Sequence, residues 1–274
     1  KKARMKITFL GGGNMANALI GGMLKQGFAA ADITVIDPGS AARDKLEQSF
    51  AVNCLETAEM LDGVGDVLVL AVKPQQMKEA VAPLVGKLGS AVVVSIAAGL
   101  DLATLARFLG GHRKIVRCMP NTPALIGAGI TGLCPFPEVS EGERAAAERV
   151  LSAVGSTVWI DDEGRMDGVT ALSGSGPAYV FLFIEAMQQA AADLGFTPEQ
   201  GRQLAIETVQ GAAALAAQSS EPAAVLRERV TSKGGTTEAA LRTMAEQGVK
   251  EGIIAGVKAA EARGRELGKL LGAG

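Results

Sequence analysis

A hydroxyl-rich and glycine-rich loop lies in the second half of the chain, just before a helical pattern. Residues 230–237 read Val-Thr-Ser-Lys-Gly-Gly-Thr-Thr, so hydroxyl groups and backbone N–H groups are concentrated in one short segment. Such a loop at the start of a helix is typical of an anion site, because free N–H groups and the helix dipole attract negative charge. A simple helix–helix turn capped by threonine is the alternative.

A second unusual segment, residues 172–179, reads Leu-Ser-Gly-Ser-Gly-Pro-Ala-Tyr. It interrupts or starts a long helical pattern over residues 166–194. Each glycine disfavours a helix by about 1 kcal/mol, and such a cost is often tolerated where a ligand or another helix approaches closely. The segment therefore indicates close approach rather than packing alone.

Residues 11–16 fit the pattern Gly-x-Gly-x-x-Ala, with the apolar run Ile7–Leu10 before them and a helical pattern after them. In a dinucleotide-binding turn the first glycine makes the turn and the second lets a pyrophosphate approach the backbone. The small third residue lets the helix pack on the strand. The turn predicts dinucleotide binding, and an ordinary glycine-rich βα turn is the alternative.

Asp37 follows a second β-branched run, Ile33–Ile36. An acidic residue here binds the ribose hydroxyls of NAD and repels the 2'-phosphate of NADP. Ser40 and Arg43 lie just downstream and could hold a phosphate, so NADH and NADPH both stay open. A turn residue before Pro38 is the alternative for Asp37.

Residues 67–72 form a continuous apolar run, as a strand buried on both faces does, and residues 91–96 and 114–119 are two further predicted strands. Ligands of open α/β sheets bind at the carboxyl ends of strands. The loops at those ends are residues 73–75, 97–99 and 120–124. In the last loop, Asn121 is a candidate for either a cofactor contact or a structural role.

The alternation of strands and helices predicts a doubly wound, Rossmann-type α/β domain over residues 1–160. From residue 161 strand-like runs disappear and alanine-rich helical periodicity takes over, which predicts an all-helical domain over residues 161–274. The predicted helices of that domain cover residues 166–194, 198–218, 222–230, 237–246 and 249–271. A helical domain of this size and composition is expected to complete its core in a homodimer.

Composition excludes several classes of protein. The chain has 274 residues, 48% hydrophobic and 20% charged, and a net charge of -2, so no basic surface is available to bind nucleic acid. No run approaches the roughly 20 uninterrupted apolar residues of a membrane helix, and the apolar stretch after Lys1, Lys2 and Arg4 is too short for a signal peptide.

The three cysteines are far apart in sequence and form no Cys-x-x-Cys pair, which supports neither a disulfide framework nor a metal site. They are Cys54, Cys118 and Cys134. We expect a cytoplasmic protein without a metal, and we expect the only histidine, His112, to be a solvated surface residue.

These features predict a nicotinamide-dependent reductase. In such an enzyme the cofactor supplies the hydride, while the protein supplies orientation and electrostatics. Reduction of a protonated imine needs one hydroxyl to orient the nitrogen and an amide-lined pocket for a carboxylate.

Five motifs resemble, in order and spacing, those of the pyrroline-5-carboxylate reductase family, and the resemblance spans almost the whole chain. The motifs are residues 11–16, 71–75, 119–123, 172–179 and 230–237. The resemblance implies an N-terminal Rossmann domain and a helical domain that interlocks with its mate in a homodimer, sometimes assembled into decamers. It also implies hydride transfer from NADPH or NADH to the C=N carbon of L-1-pyrroline-5-carboxylate, which gives L-proline in the last step of proline biosynthesis.

The resemblance assigns roles residue by residue. Thr237 would hydrogen-bond the ring nitrogen and is the catalytic candidate. The residues that would bind the substrate carboxylate or line its pocket are Glu163, Ser175, Gly176, Ser232, Gly234, Gly235 and Thr236. The residues that would lie along the cofactor are Leu10, Gly11, Gly12, Gly13, Asn14, Met15, Ala16, Asp37, Ala71, Val72, Lys73, Pro74, Ala97 and Asn121.

The chain departs from the family pattern at three positions. Lys233 stands where many members have proline, Glu56 where many have asparagine, and Asp37 where serine or asparagine is usual. Two other functions stay open. One is a 3-hydroxy-acid dehydrogenase of similar two-domain build, which would rely on a lysine in its second domain; the other is a dinucleotide-binding module without turnover.

Overall fold

The computed structural model describes residues 4–273. Residues 1–3, at the start of the predicted first domain and of the stretch considered as a signal peptide, lie outside the described residues. So does Gly274, the last residue of the predicted helical domain.

An eight-stranded sheet runs through the first half of the described chain in the order β3-β2-β1-β4-β5-β6-β7-β8. Neighbouring strands pair in parallel except β6 and β7, which are antiparallel. The strands are β1 (Ile7–Leu10), β2 (Ile33–Ile36), β3 (Asn53–Leu55), β4 (Val67–Leu70), β5 (Val92–Ser95), β6 (Ile115–Met119), β7 (Gly129–Pro135) and β8 (Gly155–Trp159). This order, with its crossover between β1 and β4, is that of a doubly wound sheet, so the predicted fold class is confirmed.

The central strands are buried along their whole length, as expected for strands covered by helices on both faces. Every residue of β1, β4 and β5 is buried. The helices of this half are α1 (Asn14–Lys25), α2 (Ser40–Phe50), α3 (Met77–Val81), α4 (Leu102–Phe108), α5 (Glu141–Leu151) and α6 (Met166–Val169). Short 3₁₀ turns link them at Ala30–Asp32, Ala58–Met60, Pro74–Gln76, Ala82–Lys87, Thr122–Ile126, Ser152–Val154 and Glu163–Arg165.

The chain divides into two compact units. The first unit comprises residues 1–175 together with 260–274, and the second comprises residues 176–259. The predicted boundary at residue 160 coincides with the end of β8, whereas the compact units separate after Ser175 and the last helix returns to the first unit at Ala260. The remaining helices are α7 (Gly176–Asp193), α8 (Pro198–Gln218), α9 (Ala223–Arg229), α10 (Thr236–Glu246) and α11 (Val249–Gly272).

The second unit has almost no core of its own. None of the residues of α7, α9 or α10 is buried, and in α8 only Gly201 and Ala205 are. Large apolar side chains lie at its surface instead, among them Val180, Phe181, Leu182, Phe183, Met187, Leu204, Leu215, Ile253 and Ile254. Contiguous exposed apolar surface of this kind marks an interaction face.

The helical stretch Glu163–Asp193 is long and apolar enough to cross a membrane, as judged by length and composition alone. We expected no such helix because no uninterrupted apolar run is long enough. This stretch meets the criterion of length and composition even though it contains charged residues. Only 6% of its most apolar window is buried, so the same residues account for much of the exposed apolar face.

Candidate active site

The glycine turn after β1 has the geometry that its sequence predicts. Gly11 has a φ of +100°, and a Cβ there would lie 2.5 Å from the carbonyl oxygen of Ala71, so only glycine fits. Gly13 is the N-cap of α1, and a Cβ there would meet nothing within 4 Å. The side-chain amide of Asn17 donates to the carbonyl oxygens of Gly12 (3.0 Å) and Gly13 (2.8 Å), which fixes the turn.

A cavity of about 600 Å³ opens beside this turn, at the carboxyl ends of β1, β2 and β4. It brings together many of the predicted cofactor residues: Leu10, Gly11, Gly12, Gly13, Asp37, Ala71, Val72 and Lys73. The same edge of a doubly wound sheet binds nucleotides in related folds. The space left at Gly13 and the helix N-terminus without a side-chain cap fit a pyrophosphate, so these residues suit a dinucleotide.

The Asp37 side chain of this cavity is anchored by two backbone N–H groups. Its Oδ2 accepts a hydrogen bond from the N–H of Gly12 (2.9 Å), and its Oδ1 accepts one from the N–H of Gly39 (2.8 Å). The Arg43 guanidinium donates to the backbone carbonyl of Asp37 at 2.8 Å. Arg43, a candidate phosphate ligand, is thus engaged with the backbone, and Ser40 is the first residue of α2.

The other predicted cofactor residues lie around this cavity or next to it. Asn14, Met15 and Ala16 form the first turn of α1, with Ala16 buried. Pro74 lines a separate cavity of about 300 Å³ in the first unit, and Ala97 is buried just after β5. Asn121 accepts a hydrogen bond from the N–H of Ile130 at 3.0 Å, which gives it a structural role in its loop.

Glu163 already has partners within the first unit. Its Oε2 accepts hydrogen bonds from the N–H of Leu102 (2.8 Å), the first residue of α4, and from Nη1 of Arg117 (3.2 Å). The side chain of Arg117 is 8% exposed. A guanidinium so far removed from water requires a partner, and Glu163 provides the negative charge.

The Ser-Gly-Ser-Gly-Pro segment begins at the end of a π-helical turn, Thr170–Gly174, and its last two residues start α7. The N–H of Ser175 donates to the carbonyl of Thr170 at 2.7 Å. A Cβ on Gly174 would lie 2.8 Å from Cε of Met119, so this glycine allows the turn to approach the strand end. Such turns inside helices occur frequently at functional sites.

The second hydroxyl–glycine segment forms the loop before α10, in the second unit. Gly235 is the N-cap, while Thr236 and Thr237 form the first turn. Gly234 has a φ of +73°, and its N–H donates to Oε2 of Glu238 at 3.3 Å, so the loop already binds a carboxylate oxygen. Thr237 is half-buried, whereas Ser232, Lys233 and Thr236 are exposed.

The predicted site residues therefore fall into two groups, one in each compact unit. The cofactor residues and Glu163 belong to the first unit together with Ser175, and the loop residues belong to the second unit together with Gly176. Sequence reasoning noted Glu56, which lines the nucleotide cavity, only as a departure from the family pattern. It did not find two other carboxylates of the cavity, Glu59 and Glu79, or the Asn17 amide that fixes its turn. Single surface-type residues outside any motif gave no signal for them.

The remaining reactive side chains serve structure. Burial raises the pKa of the Cys134 thiol to about 11, with a smaller contribution from the charge of Glu163, and burial also raises the pKa of Cys118. These thiols are protonated at neutral pH. His112 is half-buried with Nε2 2.8 Å from the carbonyl oxygen of Ala91, so the prediction of a solvated histidine was wrong.

The sheet order and the glycine turn define a Rossmann-type dinucleotide-binding protein with a helical C-terminal unit. Residues 6–99 match the family described as NADP oxidoreductase coenzyme F420-dependent, and residues 163–267 match the one described as pyrroline-5-carboxylate reductase dimerisation. A pyrroline-5-carboxylate reductase from Pseudomonas aeruginosa is 44% identical, over 97% of this chain and 98% of its own length. The chain belongs to the pyrroline-5-carboxylate reductase family.

Solved structures of the family share the fold along the whole chain. A pyrroline-5-carboxylate reductase from Coxiella burnetii superimposes with a TM-score of 0.91 at 37% identity, covering 97% of this chain and 99% of its own. The Plasmodium falciparum pyrroline carboxylate reductase, solved with NADP bound, superimposes with a TM-score of 0.85 at 29% identity and covers 96% and 98% of the two chains.

Proposed function

We propose that this protein reduces L-1-pyrroline-5-carboxylate to L-proline with NADPH or NADH, the last step of proline biosynthesis. The observation that carries the proposal is full-length similarity to a named pyrroline-5-carboxylate reductase at 44% identity. The glycine turn supports it because Gly13 leaves the N-terminus of α1 open, and the loop before α10 supports it because the Gly234 N–H already binds a carboxylate oxygen.

In this proposal the first unit holds the dinucleotide. The pyrophosphate lies at the N-terminus of α1 over Gly13, where no side chain intervenes. Leu10, Ala71, Val72 and Lys73 line the same cavity. When bound, the nicotinamide supplies a hydride to the C=N carbon of the substrate.

The loop before α10 is proposed to bind the substrate. Ser232, Gly234, Gly235 and Thr236 offer hydroxyl and N–H donors to the substrate carboxylate, and the bond from Gly234 to the Glu238 carboxylate supports this role. Thr237 hydrogen-bonds the ring nitrogen and so orients the C=N bond for reduction. The resemblance also implies a substrate-binding role for Glu163, Ser175 and Gly176.

The second unit is proposed to form a homodimer, and the cytoplasm is the proposed location. A subunit interface accounts for the apolar side chains that α7 and α11 expose, and the match of residues 163–267 to a dimerisation family supports it. Three free cysteines, two of them buried, suit a reducing compartment.

The direct test of the reaction is the loss of absorbance of the reduced nicotinamide when pyrroline-5-carboxylate is added, with NADH and NADPH in parallel. Substrate-dependent oxidation with formation of proline is expected. If folded protein oxidised neither cofactor, the proposal would be overturned. A dinucleotide-binding module without turnover would then be the favoured function.

Thr237→Ala tests the role of the hydroxyl. Loss of one hydrogen bond to a charged group corresponds to roughly a 10- to 100-fold decrease in kcat/KM, while the Kd for the cofactor stays unchanged. Thr243→Ala, an exposed threonine further along α10, is the matched control and should keep full activity. Equal kinetics for the two variants would remove Thr237 from the site.

Lys233→Ala separates this reaction from that of a 3-hydroxy-acid dehydrogenase, which would rely on a lysine. Because Lys233 is exposed in its loop, the variant should keep most of its proline-forming activity. Collapse of turnover with intact cofactor binding would favour the lysine-dependent chemistry instead.

A further inference from the structure

Negatively charged side chains outnumber positively charged ones around the nucleotide cavity. Four carboxylates line it, those of Asp37, Glu56, Glu59 and Glu79, and Lys73 is the only cationic side chain among its described lining residues. We infer that Asp37 makes this protein prefer NADH, the dinucleotide without a 2'-phosphate, over NADPH. This inference rests on the proposed function.

The position of the Asp37 carboxylate is fixed by the backbone. Each of its oxygens accepts one N–H, from Gly12 at 2.9 Å and from Gly39 at 2.8 Å. These bonds hold the carboxylate next to the glycine turn. Because each carboxylate oxygen can accept more than one hydrogen bond, both oxygens still have acceptor capacity for a ligand.

A ribose diol and a ribose phosphate make opposite demands on such a group. Two hydroxyls donate hydrogen bonds to a carboxylate, whereas a 2'-phosphate brings negative charge and further acceptors to the same place. Sites that hold this phosphate offer a guanidinium or hydroxyl donors. Here a fixed negative charge stands where such donors are needed.

The Arg43 guanidinium lies beside Asp37 and is held there by the backbone. Arg43 donates to the backbone carbonyl of Asp37 at 2.8 Å, and its side chain does not line the cavity. Glu56 and Glu59 border the cavity close in sequence to β3, so they add to the repulsion of a phosphate. This chain should therefore prefer NADH, although the Plasmodium relative was solved with NADP bound.

The test is a pair of dissociation constants, measured from the fluorescence of NADH and NADPH on titration with the protein. Electrostatic repulsion and lost hydrogen bonds together predict that NADH binds roughly 10- to 100-fold more tightly. The preference should shrink between low and high salt, because salt screens the repulsion. The ratio of kcat/KM values for the two cofactors should follow the same order.

Asp37→Ser removes the carboxylate and provides a hydroxyl. It should lower the NADH-to-NADPH binding ratio by at least roughly tenfold. Asp44→Asn, which removes one negative charge from an exposed residue of the neighbouring α2, is the matched control and should change the ratio less than twofold.

Failure of this inference and failure of the proposed function give different results. Turnover of pyrroline-5-carboxylate with NADPH binding as tightly as NADH, or more tightly, would overturn the NADH preference and keep the reaction. The same ratio in Asp37→Ser as in the unmodified protein would remove Asp37 as its cause. Tight, selective NADH binding without any turnover would keep the preference and overturn the reaction, and binding of neither dinucleotide would overturn both.

Discussion

The Glu163 carboxylate illustrates how one side chain joins two elements at the residue scale. It accepts the N–H of Leu102 at the start of α4 and pairs with Arg117 in the middle of β6. The side chain of Arg117 is almost fully buried and that of Glu163 is about one-third exposed, with a relative exposure of 32%. Removing the partner of a buried charge costs more than the pair itself contributes, because the remaining charge stays out of water.

Glu163→Gln should therefore lower stability while keeping a hydrogen-bond acceptor for Leu102. We expect a decrease of about 1–3 kcal/mol in the free energy of unfolding, after allowance for the partial exposure of Glu163. Denaturant unfolding measures it.

The matched control for that variant is Glu138→Gln. It breaks the ion pair between Arg113 and Glu138, whose side chains are both about half exposed, and it should change stability much less, because water screens an exposed ion pair. Equal losses in the two variants would contradict the structural role. A raised KM for pyrroline-5-carboxylate with unchanged stability would instead favour a substrate contact by Glu163.

The ion pair between Arg117 and Glu163 could not be predicted from the sequence. Gly11 could be identified because the turn demands its backbone freedom, and it has the expected positive φ. Gly13 could be identified because a ligand must approach the backbone there, and a Cβ at this position would meet no protein atom within 4 Å. Arg117 gave no such signal, since it lies within an otherwise apolar strand and its partner is 46 positions away in sequence. Resemblance assigned Glu163 to the substrate, and only the structure reveals what its carboxylate contacts within the first unit.

At the scale of elements, close packing constrains the sequence of α1 as much as ligand binding at its N-terminus does. Gly22 lies inside α1, and a Cβ there would overlap the carbonyl oxygen of Ala153 in the turn Ser152–Val154. Glycine is unfavourable inside a helix by about 1 kcal/mol relative to alanine. Its presence here is explained by that contact, which leaves no room for a methyl group.

Gly22→Ala should consequently destabilise the protein, although it improves helix propensity. Overpacking against a backbone carbonyl should lower the free energy of unfolding by about 1–3 kcal/mol. Gly142→Ala offers a matched comparison in α5, where the nearest atom to the added Cβ would be 4.0 Å away, and it should gain about 0.5–1 kcal/mol. Thermal or denaturant unfolding compares them; a gain for both variants would show that α1 can move away from the turn.

Element bounds followed from sequence where local signals were strong. The strands β1 and β2 and the helix α8 have the predicted bounds, and α8 starts with a capping box formed by Thr197 and Gln200. The short strand β3 was missed because three residues carry no readable period. The antiparallel pairing of β6 with β7 was missed too, since strand direction is set by tertiary pairing rather than by local sequence.

At the scale of the whole molecule, the second unit exposes many large apolar side chains and buries almost none. A cavity of about 730 Å³ lies between α7, α8 and α11 and is lined almost entirely by apolar side chains, among them Leu182, Phe183 and Ile253. The sequence anticipated a missing core from its alanine-rich helices. Which residues are left uncovered depends on how the helices pack, so it could only be learned from the structure.

Phe183→Glu tests whether a second copy covers this surface. Phe183 is 49% exposed in the single chain, and burying a carboxylate without a partner in a subunit interface costs several times the roughly 1.5–3 kcal/mol that a buried apolar side chain contributes. We expect the dimer dissociation constant to rise by at least roughly 100-fold, so that light scattering at micromolar concentration detects the mass of a monomer. Ile126→Glu places the same charge at a side chain that is 84% exposed in the first unit and should leave the dimer intact. If instead Phe183→Glu remained dimeric and Ile126→Glu did not, the interface would lie on the nucleotide-binding unit, and the apolar face of α7 would need a different partner.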